Sequence, residues 1–148
     1  MNILFIGTTG IHHTLIAAHF YMGRLSEKDD YSELQLWGDR ASESLGVPLF
    51  LDYDHMGNKV YVLGVGWDVQ MAQKSIEQLD KLLSDDRPGL IVEPVFIKRE
   101  KLLLFLHRLG RMKKLNQLVQ MLIAHLLTRE INTIQKQVNR FKEGVTFV

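Results

Sequence analysis

The hydrophobic pattern at the start of the chain predicts a strand, a loop and a helix in that order. Residues 2–6 form a short apolar run that ends at Gly7, which is typical of a buried strand. From residue 14 to residue 25 the apolar positions change to helical spacing, for example at Leu15 and Ala18. The loop between these two elements covers residues 7–14.

The middle of the chain predicts a hairpin. Residues 49–53 and 59–63 have compositions typical of strands. Between them lie Gly57 and Asn58, which tolerate the positive φ angles that a tight turn requires. We therefore expect these two strands to pair in antiparallel fashion.

The flanking segments predict two helices and one further strand. Serines and acids surround a short predicted helix at about residues 32–45, and an apolar stripe predicts a second helix over residues 68–83. Residues 85–89 end that helix. The following strand, residues 90–96, contains Pro94, so we expect it to lie where one backbone donor can be spared.

The last third of the chain predicts two helices, residues 98–109 and residues 111–142, separated or bent at Gly110. The apolar stripe of the second helix is wide at first and narrows after Leu127, which is typical of a helix that leaves the body and meets a partner. The stripe consists of Leu115, Leu118, Val119, Leu122, Ile123, Leu126, Ile131, Ile134, Val138 and Phe141.

Alternation of strands and helices predicts a three-layer α/β fold, Rossmann-like or P-loop-like, whose mostly parallel sheet carries one antiparallel hairpin. We expect an α/β domain over residues 1–110. Residues 111–148 are predicted to form a long helical extension that packs on this body or on a partner subunit. In such folds ligands bind beyond the carboxyl ends of the strands, where the opening loop lies.

Acidic and basic residues are concentrated in different parts of the chain, although the formal net charge is only +1. Residues 1–97 carry 7 Lys and Arg against 14 Asp and Glu, whereas residues 98–148 carry 11 against 3. This division favours packing of the basic tail near the acidic body, in the same chain or in a second copy. The first cations of the tail lack interleaved aromatic residues and cluster ahead of the apolar stripe, which argues against nucleic acid and against a membrane surface. They are Lys98, Arg99, Lys101, Arg108, Arg111, Lys113 and Lys114.

Composition narrows the class of protein further. The 148 residues are enough for one complete core, and the absence of cysteine excludes disulfides and thiolate chemistry. No window reaches the roughly 18 apolar residues of a membrane span, and residues 1–7 lack a basic leader, so we expect a cytoplasmic protein.

The opening loop has the length of a phosphate-binding Walker loop and ends, as that motif requires, in a threonine. His12 stands where the motif has its second glycine, and His13 replaces the lysine that reaches the terminal phosphates, which argues against ATP hydrolysis. Backbone amides at a helix start still attract an anion. We therefore predict an anion or phosphate site here, with His12 as acid or base, while the alternative is that the glycines only turn a strand into a helix. The predicted ligand-binding residues are Gly7, Thr8, Thr9, Gly10, His13 and Thr14, together with Gly64 and Gly66 of a second glycine pair that also joins a strand to a helix.

A metal site is the less favoured interpretation of the histidines. Adjacent side chains on a helix point about 100° apart, so His12 and His13 would not share an ion, and no H-x-x-x-H or H-E-x-x-H spacing occurs. His19, His55 and the carboxylates of Asp52 and Asp54 are possible supplements, but solvated edge carboxylates are the commoner explanation of such a pair. No cofactor is indicated.

Two segments of the sequence resemble an uncharacterised bacterial family of domains of unknown function, the 3189 family, which is typical of endospore-forming bacteria. The resemblance covers roughly residues 1–110 and implies no established activity. The family pattern has a serine where this chain has His13, and often a histidine where it has Tyr21, so it favours His12 as the important histidine. The matching residues are Gly10, His12, Thr14, Ala17, Ala18 and Gly23 in the first segment, and Gly57, Asn58, Val60, Tyr61, Val62, Leu63, Gly64 and Gly66 in the second.

Two functional hypotheses follow. The first is a small-ligand protein, and by extension a phosphate-ester or nucleotide-handling enzyme, that binds an anion at the opening loop and uses His12 for proton transfer. The second is a non-catalytic homo-oligomer whose C-terminal helices form the contact through Leu122, Leu126, Ile134, Val138 and Phe141. The two are compatible, and the sequence leaves open whether a reaction follows binding.

Overall fold

A computed structural model describes residues 1–26, 28–84 and 89–146. Four strands and five α-helices of the described part follow one another along the chain, with a 3₁₀ turn at Tyr31–Glu33. The elements are β1 (Asn2–Gly7), α1 (His13–Tyr21), α2 (Arg40–Ser44), β2 (Leu49–Tyr53), β3 (Lys59–Gly64), α3 (Val69–Leu83), β4 (Leu90–Pro94), α4 (Glu100–Leu109) and α5 (Asn116–Thr146).

The four strands form one mixed sheet in the order β2-β3-β1-β4. Strand β1 is parallel to both β3 and β4, whereas β2 and β3 form the predicted antiparallel hairpin. The mixed α/β class, the mostly parallel sheet and the long C-terminal helix are thus confirmed. Strand β4 pairs with β1 and is an end strand of the sheet, which is where Pro94 costs no ladder hydrogen bond.

Helices cover both faces of this sheet. Successive strand residues point to opposite faces, so Ile3 and Phe5 lie in the larger core beneath α1 and α5. On the other face Leu4 and Ile6 pack with Val69 of α3. The two cores hold β1 in the centre of the fold, and its carboxyl end carries the opening loop.

Helix α5 packs against the body of its own chain. Ile123, Leu127 and Ile134 are fully buried in the larger core, and each large apolar side chain so buried contributes roughly 1.5–3 kcal/mol. Near the end of α5, the Lys142 ammonium donates to the Phe20 carbonyl at 3.0 Å. Of the five residues predicted to meet a partner, Leu126, Ile134, Val138 and Phe141 contact this core, whereas Leu122 is 45% exposed.

Several helix boundaries differ from the sequence prediction. Helix α1 stops at Tyr21 because Gly23 adopts a positive φ of 71° just beyond it. A continuous helix over residues 32–45 is wrong, since Leu36 and Gly38 have left-handed φ angles of 71° and 65° that interrupt it. The long helix begins at Asn116, five residues later than predicted, and runs to Thr146.

Two smaller expectations concern the turns. Gly57, in the hairpin turn, has the predicted positive φ, at 81°. The predicted turn at residues 85–89 falls mostly outside the described residues.

None of the described helices is both long enough and apolar enough to span a membrane.

Candidate functional site

The opening loop lies at the carboxyl end of β1, beside the end of β3. Gly7 pairs with Gly64 in the parallel register, and the Val65 amide donates to the Gly7 carbonyl at 2.9 Å. All residues from 7 to 14 are buried. The two glycine segments found in the sequence therefore lie side by side.

Contact between the two glycine segments is close enough to exclude side chains. A Cβ atom added to Gly10 would lie 2.7 Å from the Gly64 nitrogen, and one added to Gly64 would lie 2.7 Å from the Gly10 nitrogen. At Gly7 a Cβ would meet the Thr14 hydroxyl at 2.2 Å. Gly66 has a different role, because its φ of 77° requires glycine in the turn although its surroundings are open.

A carboxylate occupies the place where these segments meet. Glu43 Oε1 accepts a hydrogen bond of 2.7 Å from the Gly10 amide, and Glu43 Oε2 lies 3.2 Å from Nε2 of His107. Burial raises the pKa of Glu43, but the hydrogen bonds from His107 and Gly10 outweigh burial and lower the pKa overall. A charged carboxylate thus sits on the loop amide at neutral pH.

Helix α2 delivers this carboxylate together with a cation. The Asp39 side chain accepts from the Ser42 amide at 3.1 Å and so begins the helix that contains Arg40 and Glu43. The Arg40 guanidinium donates to the His107 carbonyl near the end of α4. Burial and then the nearby charge of Arg111 lower the pKa of Arg40, which shows that two guanidinium groups share this region.

His12 lies behind the carboxylate and is fully buried. Its Nε2 donates to Gln120 Oε1 of α5 at 2.9 Å, and its Nδ1 accepts from the Thr9 hydroxyl at 3.2 Å. The His107 ring packs edge-on against it with centroids 5.5 Å apart. Burial lowers the pKa of His12 to about 4, against the opposing effect of the Gln120 hydrogen bond, so this ring is neutral at pH 7.

His13 is also fully buried and neutral. Burial lowers its pKa to about 3, with a further contribution from His12. Its Nε2 lies 3.9 Å from Glu100 Oε1, too far for a hydrogen bond. Because His13 is uncharged, it cannot replace the lysine of a Walker loop.

Unsatisfied polar atoms concentrate around the loop. Among the described residues, seven buried side-chain nitrogen and oxygen atoms lack a hydrogen-bond partner, and five of these belong to Thr8, His13, Trp37 and His107. Trp37 packs edge-on against His12, with centroids 5.0 Å apart. Buried polar groups without partners are rare in native proteins, so their concentration here sets this region apart.

The structure brings most of the predicted site residues together and separates others. The six named residues of the opening loop are buried and lie beside the half-buried Gly64, and the Thr14 hydroxyl already donates to the Thr9 carbonyl at 2.7 Å. Asp52 pairs with Arg24 at 2.6 Å, whereas Asp54 accepts from Tyr21 at 2.8 Å, so each carboxylate is engaged elsewhere.

The possible metal supplements do not gather at the loop. His19 lies seven residues from His12, which is about 10 Å along a helix. Within the described ranges no group of three or more histidines and carboxylates could hold a metal ion.

Four residues of the site were not predicted from the sequence. Glu43 and Arg40 lie within the segment predicted as a helix at residues 32–45, and no role at a site was predicted for either. His107 and Gln120 belong to α4 and α5, which are distant from the loop in the sequence. The spacing of Arg40 and Glu43 was visible in the sequence, but their approach to a loop 30 residues earlier was not.

One family model matches residues 2–143, and its description is "Protein of unknown function (DUF3189)". The chain belongs to this family. The match confirms the predicted resemblance and extends it from residues 1–110 through most of α5. No curated protein and no solved structure matches the chain significantly. The matched range, residues 2–143, includes every residue of the site described above.

We expect Gly64→Ala to destabilise the protein, because the new Cβ would lie 2.3 Å from Glu43 Oε1 and would push against the Gly10 backbone. Urea unfolding should show a loss of about 1–3 kcal/mol, as for other overpacked sites. The matched control is Gly144→Ala in α5, where no atom lies within 4 Å of the added Cβ and helix propensity should stabilise the fold by about 0.5–1 kcal/mol. Equal effects of the two substitutions would contradict the close approach.

We also expect the free energy of unfolding to fall as the pH is lowered. The pKa values of His12 and His13 in the folded chain, about 4 and about 3, lie below the ordinary value of 6.5. As the pH falls below 6.5, the unfolded chain therefore takes up protons before the folded chain does. Each histidine then lowers the free energy of unfolding by about 1.4 kcal/mol per pH unit, whereas above pH 6.5 it causes no loss. For His12 the loss continues to about pH 4.

Two carboxyl groups, Glu93 and Glu100, act in the opposite direction, because burial raises the pKa of each. Burial raises the pKa of Glu93 from 4.5 to about 7, so this group reduces stability as the pH rises between those values. Glu93→Gln should therefore make the acid-induced loss between pH 7 and pH 5 steeper, as measured by urea unfolding. Substitution of the exposed Asn132, which carries no titratable group, by Gln serves as the control and should leave the slope unchanged. A flat profile in Glu93→Gln would count against neutral buried histidines.

Proposed function

We propose that this protein binds a small phosphorylated ligand at the opening loop, and that Glu43 occupies the anion position when the ligand is absent. The observation that carries this proposal is the contact of the Glu43 carboxylate with both the Gly10 amide and the His107 ring. A carboxylate and a phosphate both accept hydrogen bonds from such donors. The loop therefore already holds an anion, supplied by the chain itself.

The surroundings of Glu43 favour a ligand with more negative charge than one carboxylate carries. Arg40 and Arg111 lie close enough to affect one another, and the first turn of α1 contributes the positive end of its dipole. Location at the carboxyl end of a parallel strand supports the finer Rossmann-like or P-loop-like interpretation of the fold. Since His13 is buried and neutral, we propose binding of a phosphate ester and not Walker-type hydrolysis of ATP.

Release of Glu43 requires little loss of packing. Helix α2 has five residues and none of them is buried, so its movement would expose little apolar surface. The principal contacts that hold Glu43 are polar, and a phosphate would replace them. Because Glu43 and a phosphate would compete for the same donors, removal of the Glu43 charge should strengthen phosphate binding.

His107 is the better placed of the two histidines for proton transfer. Both nitrogens of His12 are hydrogen-bonded within the chain, whereas Nδ1 of His107 has no partner among the described residues. Glu43 engages the other nitrogen of His107 in the free protein, and a bound phosphate would take over this contact. We propose that His107 serves as acid or base in any phosphate-ester chemistry at this site, and that His12 positions the loop.

Isothermal titration with inorganic phosphate and with ribose 5-phosphate should test the competition. Glu43→Gln keeps the shape of the side chain but removes its charge, so we expect phosphate to bind about tenfold more tightly than to the unmodified protein, equal to about 1.4 kcal/mol. His107→Ala should weaken binding because it removes a donor. Glu143→Gln changes an exposed carboxylate of α5 and should have no effect.

Absence of binding in every variant would leave Glu43 as a structural cap of the loop. Equal affinity of Glu43→Gln and the unmodified protein would show that phosphate, where it binds, does not replace the carboxylate. Thermal unfolding of each variant distinguishes loss of a ligand site from loss of the fold.

A second candidate function is self-association. The beginning of α5 presents Leu118, Met121 and Leu122 on one exposed side, and the adjacent α4 exposes Leu102 and Phe105. Exposed apolar groups of this kind are typical of protein interfaces. We propose that this part of α5 forms the homo-oligomeric contact, instead of the later stripe that its own core covers.

The double substitution of Met121 and Leu122 by Glu should convert the oligomer to monomers, as measured by light scattering after gel filtration. Gln117→Glu is the matched control, since it adds the same kind of charge at an exposed position one turn away. Truncation after Leu127 would remove Ile134 from the core and should unfold the body, so it cannot test self-association. A monomeric unmodified protein at micromolar concentration would contradict this proposal.

A further inference from the structure

An exposed tryptophan lies beside the site, on the same two segments that surround Glu43. Trp67 follows Gly64 by three residues, and Arg108 follows His107 directly in α4. The Arg108 Cζ atom lies 5.5 Å from the centre of the Trp67 ring, a cation-π contact. Three residues span at most about 10 Å, so the Trp67 backbone lies within that distance of Gly64, and Gly64 lies against the Glu43 carboxylate.

The Trp67 side chain is unusually open for its size. It is 57% exposed, although a tryptophan ring is commonly buried in large part. The positive φ of Gly66 turns the chain immediately before it. One face of the ring system is thus occupied by a cation while much of its remaining surface is open to solvent.

The arginines of this region are not held by carboxylates of the described residues. Neither Arg108 nor Arg111 takes part in an ion pair within the described part of the chain. Guanidinium groups bind phosphate oxygens and also stack on aromatic rings. An aromatic surface and unpaired cations next to an anion position suit a ligand that carries both a phosphate and a flat ring.

We propose that Trp67 and Arg108 form a stacking platform for a nucleobase, and that the ligand of the opening loop is a nucleoside monophosphate. This inference rests on the proposed function, because the phosphate of the nucleotide would take the place of the Glu43 carboxylate. A ribose between phosphate and base provides the reach from the loop to the platform. Stacking of a base on an aromatic side chain favours binding irrespective of base identity.

Tryptophan fluorescence provides a direct test, since the chain contains only two tryptophans. In a Trp37→Phe variant, Trp67 is the single emitter. We expect adenosine 5′-monophosphate to quench this emission and to bind about tenfold more tightly than ribose 5-phosphate, the gain that stacking of one base provides. Ribose 5-phosphate should bind without quenching.

Substitution of Trp67 should remove the preference for adenosine 5′-monophosphate over ribose 5-phosphate, while the phosphate site should still bind. In titration calorimetry, Trp67→Ala should bind adenosine 5′-monophosphate and ribose 5-phosphate with equal affinity, while Trp67→Phe should retain part of the difference. Tyr53→Ala is the matched control, because Tyr53 is an aromatic side chain of β2 with 51% exposure that pairs with Lys59, at the end of β3 opposite Gly64. It should behave as the unmodified protein.

The outcomes separate the two proposals. If ribose 5-phosphate binds but adenosine 5′-monophosphate gains nothing over it in the unmodified protein, the platform is overturned and the proposed function stands. In that case the Trp67–Arg108 contact would serve only to hold the β3–α3 loop against α4. If no phosphorylated compound binds, both proposals fail.

Discussion

The remainder of this fold depends on the close approach of two backbone segments at Gly10 and Gly64. The Glu43 carboxylate lies against both. Parallel pairing of β1 and β3 brings the two glycine segments to the same edge of the sheet. No Cβ fits between them, so the loop amide remains accessible to an oxygen atom. Glu43 provides that oxygen and thereby connects the opening loop to α2 and, through His107, to α4.

A partly buried carboxylate requires compensation, and the arrangement of the histidines follows from this requirement. His107 lies against Glu43 and satisfies one of its oxygens, while Gly10 satisfies the other. His12 and His13 have no such carboxylate at hydrogen-bond distance, so burial keeps both rings neutral. Three histidines within one region thus have different electrostatic roles because their distances to carboxylates differ.

The basic C-terminal third and the acidic body are in contact, but opposite charges are not the main basis of this contact. The basic C-terminal third does pack against the acidic body, but the contact between α5 and the body is mainly apolar, through residues such as Ile123 and Ile134. Many cations of α4 and of the α4–α5 connection remain exposed, including Arg108 and Arg111 beside the site. The positive surface is therefore available to an anionic ligand because hydrophobic burial, and not ion pairing, anchors the tail.

Local patterns were sufficient to identify the sheet and the loop from the sequence alone. Apolar runs and glycines located β1, β3 and the hairpin, because strand period and turn conformation depend on neighbouring residues. The helix predicted at residues 32–45 failed where Leu36 takes a left-handed conformation that no local rule requires.

Tertiary structure decided which side chains meet at the loop. Glu43, His107 and Gln120 come from three different helices, and Gln120 lies 108 positions after His12. Their approach depends on how the helices pack over the end of the sheet, which is a property of the whole core. The sequence determined by itself that a loop containing glycines would follow β1, since backbone conformation is set locally. Only the assembled fold decided that an internal carboxylate would occupy that loop, because contacts between distant segments form only when the core brings them together.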